Sequence, residues 1–354
     1  MAQLLATIPK GAVVNVAALA PFQFHYGHFG GAERIMQLLS RVEAPVNVFA
    51  ATGGPDELVR VNNLTIHYKS IPEWIKTSED YDTNLATVAR ELFAKDLEEQ
   101  NPDVVILEHP WQVDALSGQK FVYDAHNNEA EMKRQLSTPE IAEATQALEA
   151  KALKANHVTY CSEGDELITD APKTYISNGT HLPNITRLNG SKLKNLLFVG
   201  SGHPPNVAGA LMLANLAAAM PDYEIIIAGQ CSSFINTTAP NVRLLGHVSE
   251  QVLDYLFANT HAFINLITAG SGTSLKVARA LSYGLPVISS RLGARGYEES
   301  CLIAQNAEEV LASLQTLKSA SEYKLQSEKA RAGAEAVSWD NIGKRFSEVV
   351  LGLV

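Results

Sequence analysis

Residues 269–290 read AGSGTSLKVARALSYGLPVISS. The run opens with a loop of glycine and hydroxyl residues, Gly270-Ser271-Gly272-Thr273. Leu275, Val277, Ala278 and Leu281 then fall at helical spacing across residues 274–282. Gly284 stops that helix, and Leu285-Pro286-Val287-Ile288 begins an apolar strand. A glycine loop leading into a helix presents unpaired backbone N–H groups and the positive end of the helix dipole, which together attract phosphate. Lys276 adds a full charge one turn in. The same pattern also describes an ordinary αβ unit with small residues at a tight turn, because glycine-rich loops before helices are common.

Working outward, the design of strand, glycine turn and helix repeats. Towards the N-terminus, residues 13–19 (VVNVAAL) read as a buried strand that runs through Pro21-Phe22-Gln23-Phe24-His25-Tyr26-Gly27-His28-Phe29 into Gly30-Gly31 and a helix over 32–41. Further strands are expected at 46–50, 64–68, 103–107, 121–123, 157–161 and 174–176, with helices over 84–100 and 138–156 and a short one opening at Ser162. The pattern restarts at 195–199 (NLLFV), followed by Gly200-Ser201-Gly202-His203-Pro204-Pro205-Asn206 and a helix over 207–219. Strands at 224–228, 242–245 and 262–266 lead back to the opening run, and residues 308–351 are largely helical. Residues 181–194 are mostly polar and carry Pro183 and Gly190, which marks a linker. The expected fold class is therefore α/β with two doubly wound, Rossmann-like domains. In such sheets ligands sit beyond the carboxyl ends of the strands.

Composition bounds the function. The chain has 354 residues, 46% hydrophobic and 19% charged, a length that suits about two domains. Its net charge is −10, unevenly divided: residues 1–184 hold 14 basic and 25 acidic side chains, and the remainder 14 and 13. An acidic first half disfavours long-range attraction to nucleic acid or an anionic membrane. No apolar run approaches the ~20 residues of a membrane-spanning helix, and the N-terminus lacks the basic start of a signal peptide. Cys161, Cys231 and Cys301 are few and widely spaced, which suits a reducing cytoplasm and makes no metal motif. Asp80-Tyr81-Asp82 is a literal D-x-D, but it follows polar residues and precedes a helix, so it reads as a helix start and no metal ligand is assigned.

The opening run resembles the donor-site segment of retaining GT-B glycosyltransferases of family 4, the glycosyl transferases group 1, in which G-[SG]-G-T-R-L-K-x-x-E-A-L-x-x-G-x-P-V-[IV] is familiar. Gly270, Gly272, Thr273, Leu275, Lys276, Ala280, Leu281, Gly284, Pro286 and Val287 match. Other segments resemble that group in the expected order: Gly30-Gly31-Ala32-Glu33-Arg34, Asp124-Ala125-His126-Asn127-Asn128-Glu129, Asn178-Gly179-Thr180, Phe198-Val199-Gly200-Ser201, Leu292-Gly293-Ala294-Arg295-Gly296 and Ser338-Trp339-Asp340. The resemblance covers nearly the whole chain. It implies two Rossmann-like domains facing across a cleft, at 1–183 on the acceptor side and 184–335 for the nucleotide sugar, with 336–354 a helix returning to the first domain. It further implies metal-independent transfer of a hexose-type sugar from a nucleotide sugar, UDP-sugar being the first guess, with no other cofactor.

By the same resemblance, Gly30, Gly31, Ser201, His203, Gly229, Val248, Gly270, Ser271, Gly272, Thr273, Lys276 and Arg279 fall at donor-binding positions, and His126 at the position that touches the transferred sugar, the one assigned a catalytic role. The aromatic-rich loop with His25, Tyr26 and His28, together with Trp111, lines an acceptor site or forms a packed plug. The sequence departs from the pattern at two places. The glutamate that holds the donor ribose falls on Arg279, which cannot accept a hydrogen bond, and its companion glutamate falls on Ser271. The Arg and Lys that grip the diphosphate in many relatives are missing after Gly200. The acceptor is a glycan or glycolipid on this reading. The alternatives are a nucleobase in DNA or a protein side chain, or a nucleotide-sugar-binding scaffold that has lost transfer.

Overall fold

The computed structural model describes residues 14–25, 30–164, 167–184, 193–270 and 272–354. The chain divides into two compact units, residues 1–177 with 339–354, and residues 178–338. Ser177–Asn178 is thus the passage between units, a few residues before the polar segment expected to link them.

The first unit is built on eight strands: β1 (Val16–Ala20), β2 (Val46–Thr52), β3 (Glu57–Val61), β4 (Leu64–Ser70), β5 (Val104–Glu108), β6 (Phe121–Ala125), β7 (His157–Tyr160) and β8 (Lys173–Tyr175). They lie in the order β3-β4-β2-β1-β5-β6-β7-β8, all pairings parallel except the β3–β4 hairpin. β1 and β5 are buried along their whole length, as expected of parallel strands covered on both faces. The helices are α1 (Gly30–Leu39), α2 (Glu73–Lys76), α3 (Tyr81–Gln100), α4 (Glu129–Leu136) and α5 (Pro139–Ala152). Leu85, Ala89, Phe93 and Leu97 of α3 meet Ala17, Leu19, Val105 and Leu107 in one core cluster. Asp80 is the N-cap of α3, accepting from the Thr83 N–H at 3.4 Å. Asp82 pairs with Lys133 at 2.7 Å. Both ends of the D-x-D are therefore in structural use.

The second unit holds β9 (Asn195–Val199), α6 (Pro204–Leu216), β10 (Glu224–Ala228), β11 (Val242–Leu244), α7 (Glu250–Asn259), β12 (Ala262–Asn265), α8 (Leu275–Ser282), β13 (Val287–Ser289), β14 (Leu302–Ile303), α9 (Ala307–Thr316) and α10 (Ala320–Ala336). The sheet order is β11-β10-β9-β12-β13-β14, parallel throughout. Strand alternation sorts the core: Leu196, Phe198, Ile225, Ile227 and Ile264 bury against α6 and α9, while Leu197, Ile226, Phe263 and Val287 bury against α7, α8 and α10. The chain then returns to the first unit in α11 (Trp339–Leu351), which packs on α1 and β5 through Trp339, Ile342, Phe346 and Val350. Gly343 lies under Arg41, where a Cβ would come within 2.3 Å of Arg41 Cδ.

Two elements depart from expectation. β3 was not anticipated, because its ELVRV run is half exposed on an edge strand. The short helix opening at Ser162 is absent among the described residues; Asp165 and Glu166 lie outside them.

The strand orders place one topological switch point in each unit. The connection from β1 runs to β2 on one side, while β5 flanks β1 on the other. Likewise β9 leads to β10 on one side, with β12 on the other. Ligands of open α/β sheets bind outside the carboxyl ends of strands at such points.

Candidate functional site

At the switch point of the second unit, the loops after β9 and β12 converge. Gly229, following β10, has φ 95°, and a Cβ there would lie 2.2 Å from the Gly200 carbonyl oxygen. The Gly229 N–H donates to Gly246 O at 2.7 Å, and the Cys231 N–H to Gly200 O at 3.2 Å. Gly229→Ala is accordingly expected to destabilise this unit by about 2–3 kcal/mol, read as a lower melting temperature.

The loop after β12 uses positive φ at Gly270 (125°) and Gly272 (69°) to reach α8. Ser271 between them lies outside the described residues. Ser274 occupies the N-cap of α8 but makes no capping bond, and its Oγ is buried without a partner among the described residues. The Ser274 side chain thus satisfies none of the first-turn N–H groups of α8, of which that of Val277 donates to Ser274 O at 3.0 Å. Thr273 is held from behind by Asn178, whose backbone N–H donates to Thr273 Oγ1 at 3.3 Å and whose Nδ2 donates to Thr273 O at 3.1 Å. The Tyr297 hydroxyl donates to Asn178 O at 2.9 Å.

Lys276 reaches across the switch point. Its ammonium donates to Asn206 Oδ1 and lies 5.6 Å from the Phe198 ring centroid. Asn206 Nδ2 in turn donates to Ser201 Oγ at 2.9 Å, and the His203 N–H to the same oxygen at 3.4 Å. Burial lowers the Lys276 pKa to about 8, against the opposing influence of Cys231. Burial and the Lys276 charge also push His203 down. A desolvated ammonium bonded to an amide oxygen, beside a helix N-terminus, is a site prepared for an anion.

Arg279 is placed differently from its expected role. It pairs with Glu250 and Asp254 of α7, each at 2.7 Å, and lies 5.3 Å over the Phe257 ring. The Tyr283 hydroxyl also donates to Asp254. Burial works against the arginine's charge, but the bonds to Asp254 and Glu250 more than offset it and raise its pKa. Arg279 is thereby a clasp between α7 and α8. Val248 packs half-buried against the core cluster that includes α7 and α8.

The switch point of the first unit carries a buried polar network. Arg34 of α1 grips Asp124 at the end of β6 with two bonds, Nε to Oδ2 at 2.8 Å and Nη2 to Oδ1 at 2.7 Å. Its Nη1 donates to the Ile176 and Ser177 carbonyls at 3.0 and 3.2 Å. Thr159 Oγ1 donates to Asp124 Oδ1 at 2.6 Å. Burial alone would raise the Asp124 pKa, but the Arg34 guanidinium overrides it and holds the carboxyl far below the usual range. His126 Nε2 lies 2.7 Å from Glu108 Oε2 and 3.4 Å from Asp124 Oδ2. Burial and the Asp124 charge push the Glu108 pKa well up.

A second imidazole–carboxylate pair stands beside the first. His109 follows β5 with φ 69° and ψ 161°. Its Nδ1 lies 2.9 Å from Glu129 Oε1, and its ring centroid 4.0 Å from that of His126. Phe22, just after β1, meets the His109 ring edge-on at 5.7 Å. Burial opposes the Glu129 charge, but the His109 bond prevails and lowers its pKa.

Residues 193–319 match the family model for glycosyl transferases group 1. No curated protein matches the chain in sequence. Among solved structures, sucrose-phosphate synthase from Thermosynechococcus elongatus superposes with a TM-score of 0.76 at 14% identity, over 96% of this chain and 99% of that one. A structure described as trehalose-6-phosphate from E. coli bound with UDP-2-fluoro glucose gives 0.72 at 13%, over 95% of this chain and 98% of that one. WaaG, a glycosyltransferase involved in lipopolysaccharide biosynthesis, gives 0.67 at 16%, over 95% and 100%. The chain has the fold of the GT-B glycosyltransferases. The family match lies within the second unit, and the structural likeness spans both.

The residues singled out from sequence are only partly brought together. Ser201, His203, Gly229, Gly270, Gly272, Thr273 and Lys276 gather at one switch point. Gly30 and Gly31 open α1 at the other, where His126 also lies. His25 stands apart, stacked on Tyr68 at 5.1 Å with Nδ1 2.5 Å from the phenol oxygen. Tyr26 and His28 lie outside the described residues. Trp111 is 2% exposed within the core, with the Lys133 ammonium 5.6 Å over its ring. Arg34, Glu108, His109, Asp124 and Glu129 were not assigned to the site from sequence. Their signal was there: each is a polar residue at a strand end or helix start of the first unit. Glu108, Asp124 and His126 also bring ligand atoms within 4.8 Å of one another. The Arg34 guanidinium on Asp124 supplies a positive charge where an ion would stand, so the donor set is poorly suited to a divalent metal.

Proposed function

We propose that this protein is a glycosyltransferase that moves a hexose-type sugar from a nucleotide sugar to a glycan or glycolipid, with retention at the anomeric carbon and without a metal ion. The observation that carries the reading is Lys276. It is a desolvated ammonium at a switch point, next to the N-terminal turn of α8 and a glycine loop. Such a surface neutralises a diphosphate leaving group where charge develops. The bond from the sugar carbon to the diphosphate breaks, giving oxocarbenium-like character. The acceptor oxygen bonds to that carbon from the leaving-group face, and its proton passes to the departing phosphate oxygen. No carboxylate nucleophile is needed. His126 orients a sugar hydroxyl.

UDP-sugar is the first donor to test, and a reducing cytoplasm suits three free cysteines. Among the described residues no helix is long and apolar enough to cross a membrane. The test is to titrate UDP, GDP, ADP, CDP and their hexose derivatives, following melting temperature and then diphosphate release with saccharide acceptors. A rise with one nucleotide family, and release only when an acceptor is present, is the expected result. Absence of any rise would refute the reading.

One observation favours a second reading, a nucleotide-sugar-binding protein without transfer. Arg279 is committed to Glu250 and Asp254 and offers the donor ribose no acceptor. On that reading nucleotide sugar binds and no diphosphate is ever released. Arg279→Glu would set a third carboxylate against Glu250 and Asp254. It is therefore expected to loosen the α7–α8 clasp and lower the melting temperature, without tightening nucleotide binding.

A further inference from the structure

His109 is built unlike the residues around it. It is a non-glycine residue at positive φ (69°), a conformation retained only where the surroundings impose it. It is 8% exposed, and its Nε2 is buried without a hydrogen-bond partner among the described residues. Leaving such an atom unpaired is unfavourable. Its location matches the topology, since β5 ends one residue earlier and lies against β1 at the switch point. Gln112 Nε2, just beyond, donates to Ala20 O at the end of β1 at 3.0 Å.

Glu129 is ionised and can only accept, so its bond with His109 puts a proton on His109 Nδ1, pointing at Glu129, and in the neutral ring Nε2 is an acceptor. The His126 ring stands beside it, with centroids 4.0 Å apart, so a hydroxyl donating to His109 Nε2 would lie next to the residue proposed above to touch the sugar.

We propose that His109 is a second substrate-contacting residue, and that His109 Nε2 accepts a hydrogen bond from a sugar hydroxyl beside His126. The inference rests on the proposed sugar chemistry and adds a residue to it. The ring comes from the nucleotide sugar or from a saccharide acceptor. Both present the same hydroxyls, and the experiment separates them.

The full chain, with isotope-labelled histidine ring nitrogens, is titrated in two arms and the His109 Nε2 resonance is followed. One arm uses nucleotide sugars against their bare nucleoside diphosphates. The other uses free hexoses and hexose phosphates with the diphosphate already bound. Movement of His109 Nε2 with the nucleotide sugar but not the diphosphate assigns the donor; movement in the second arm only assigns the acceptor. Two variants accompany the titration. His109→Asn tolerates positive φ and can keep the link to Glu129, so it is expected to fold with near-native melting temperature. It is expected to lose about tenfold in affinity for the sugar and nothing for the diphosphate. His109→Gln can return a polar atom near the Nε2 position and should recover part of that loss. Ligands that raise the melting temperature while His109 Nε2 stays still, with His109→Asn unchanged in affinity, would overturn the inference and leave the transferase reading standing. No binding of any nucleotide or sugar would overturn both.

Discussion

Replacing Arg34 with methionine should cost the first unit about 3–5 kcal/mol, the range for removing one partner of a buried ion pair. Arg34 is 1% exposed and Asp124 is fully buried. Without the guanidinium, Asp124 keeps Thr159 and His126 but loses its two strongest bonds, and the Ile176 and Ser177 carbonyls lose their donor. A buried carboxylate in that position takes up a proton, so the variant should unfold at much lower denaturant concentration. The native Asp124 carboxyl is held below its unfolded value, so its stabilisation is present above the unfolded carboxylate pKa of ~3.9. It is lost as the pH falls through the folded value. In Arg34→Met that acid-side loss should disappear. Removing both charges, Arg34→Met with Asp124→Leu, should cost less than the sum of the single changes. Additivity would show that the pair is not coupled. Because two units unfold, the measurement should follow the first by hydrogen exchange or a local probe.

The second large effect is expected at Lys276. Lys276→Ala should weaken binding of the nucleoside diphosphate by roughly 10- to 150-fold, as for loss of a charge-assisted bond of about 1.5–3 kcal/mol. Calorimetric titration reads it directly, and an unchanged affinity would remove Lys276 from the site. The pH dependence carries its own signature. The ammonium has a pKa of about 8, so anion affinity in the native protein should be flat below that pH. Above it, affinity should fall and level off near that of Lys276→Ala, because the neutral amine no longer makes the charge-assisted bond. Stability of the free protein runs the other way. The folded value lies below the unfolded ~10.4, so the unfolded chain binds more protons between the two, and stability rises with pH across that window. Lys276→Ala should flatten both trends.

Most of the strands and the glycine turns were legible in residue types. Continuous apolar runs such as Asn195–Val199 and Glu224–Ala228 can form only buried parallel strands, and the structure keeps those bounds. Gly229 and Gly270 stand where positive φ is needed, and that requirement is local. For the same reason Lys276, one turn into a helix after a glycine loop, was identifiable as an anion ligand candidate. The half-exposed β3 was not, because an edge strand beside solvent carries little apolar pattern.

Contacts between distant residues are a different matter. Arg279 sits in the frame of a family motif, and its neighbours in sequence say nothing of Glu250 and Asp254, which only the packing of α7 on α8 brings to it. Arg34 and Asp124 are 90 positions apart, and their bond exists because α1 and the end of β6 share one buried space. The dyads of His126 with Glu108 and of His109 with Glu129 depend on a backbone turn after β5 and on two rings stacking at 4.0 Å. Period and sterics act between near neighbours and are written residue by residue, so the chain alone specifies its strands, helices and turns. Desolvation and charge pairing depend on what else fills the same volume, so which polar groups became a site and which became a clasp was decided only when the sheets packed.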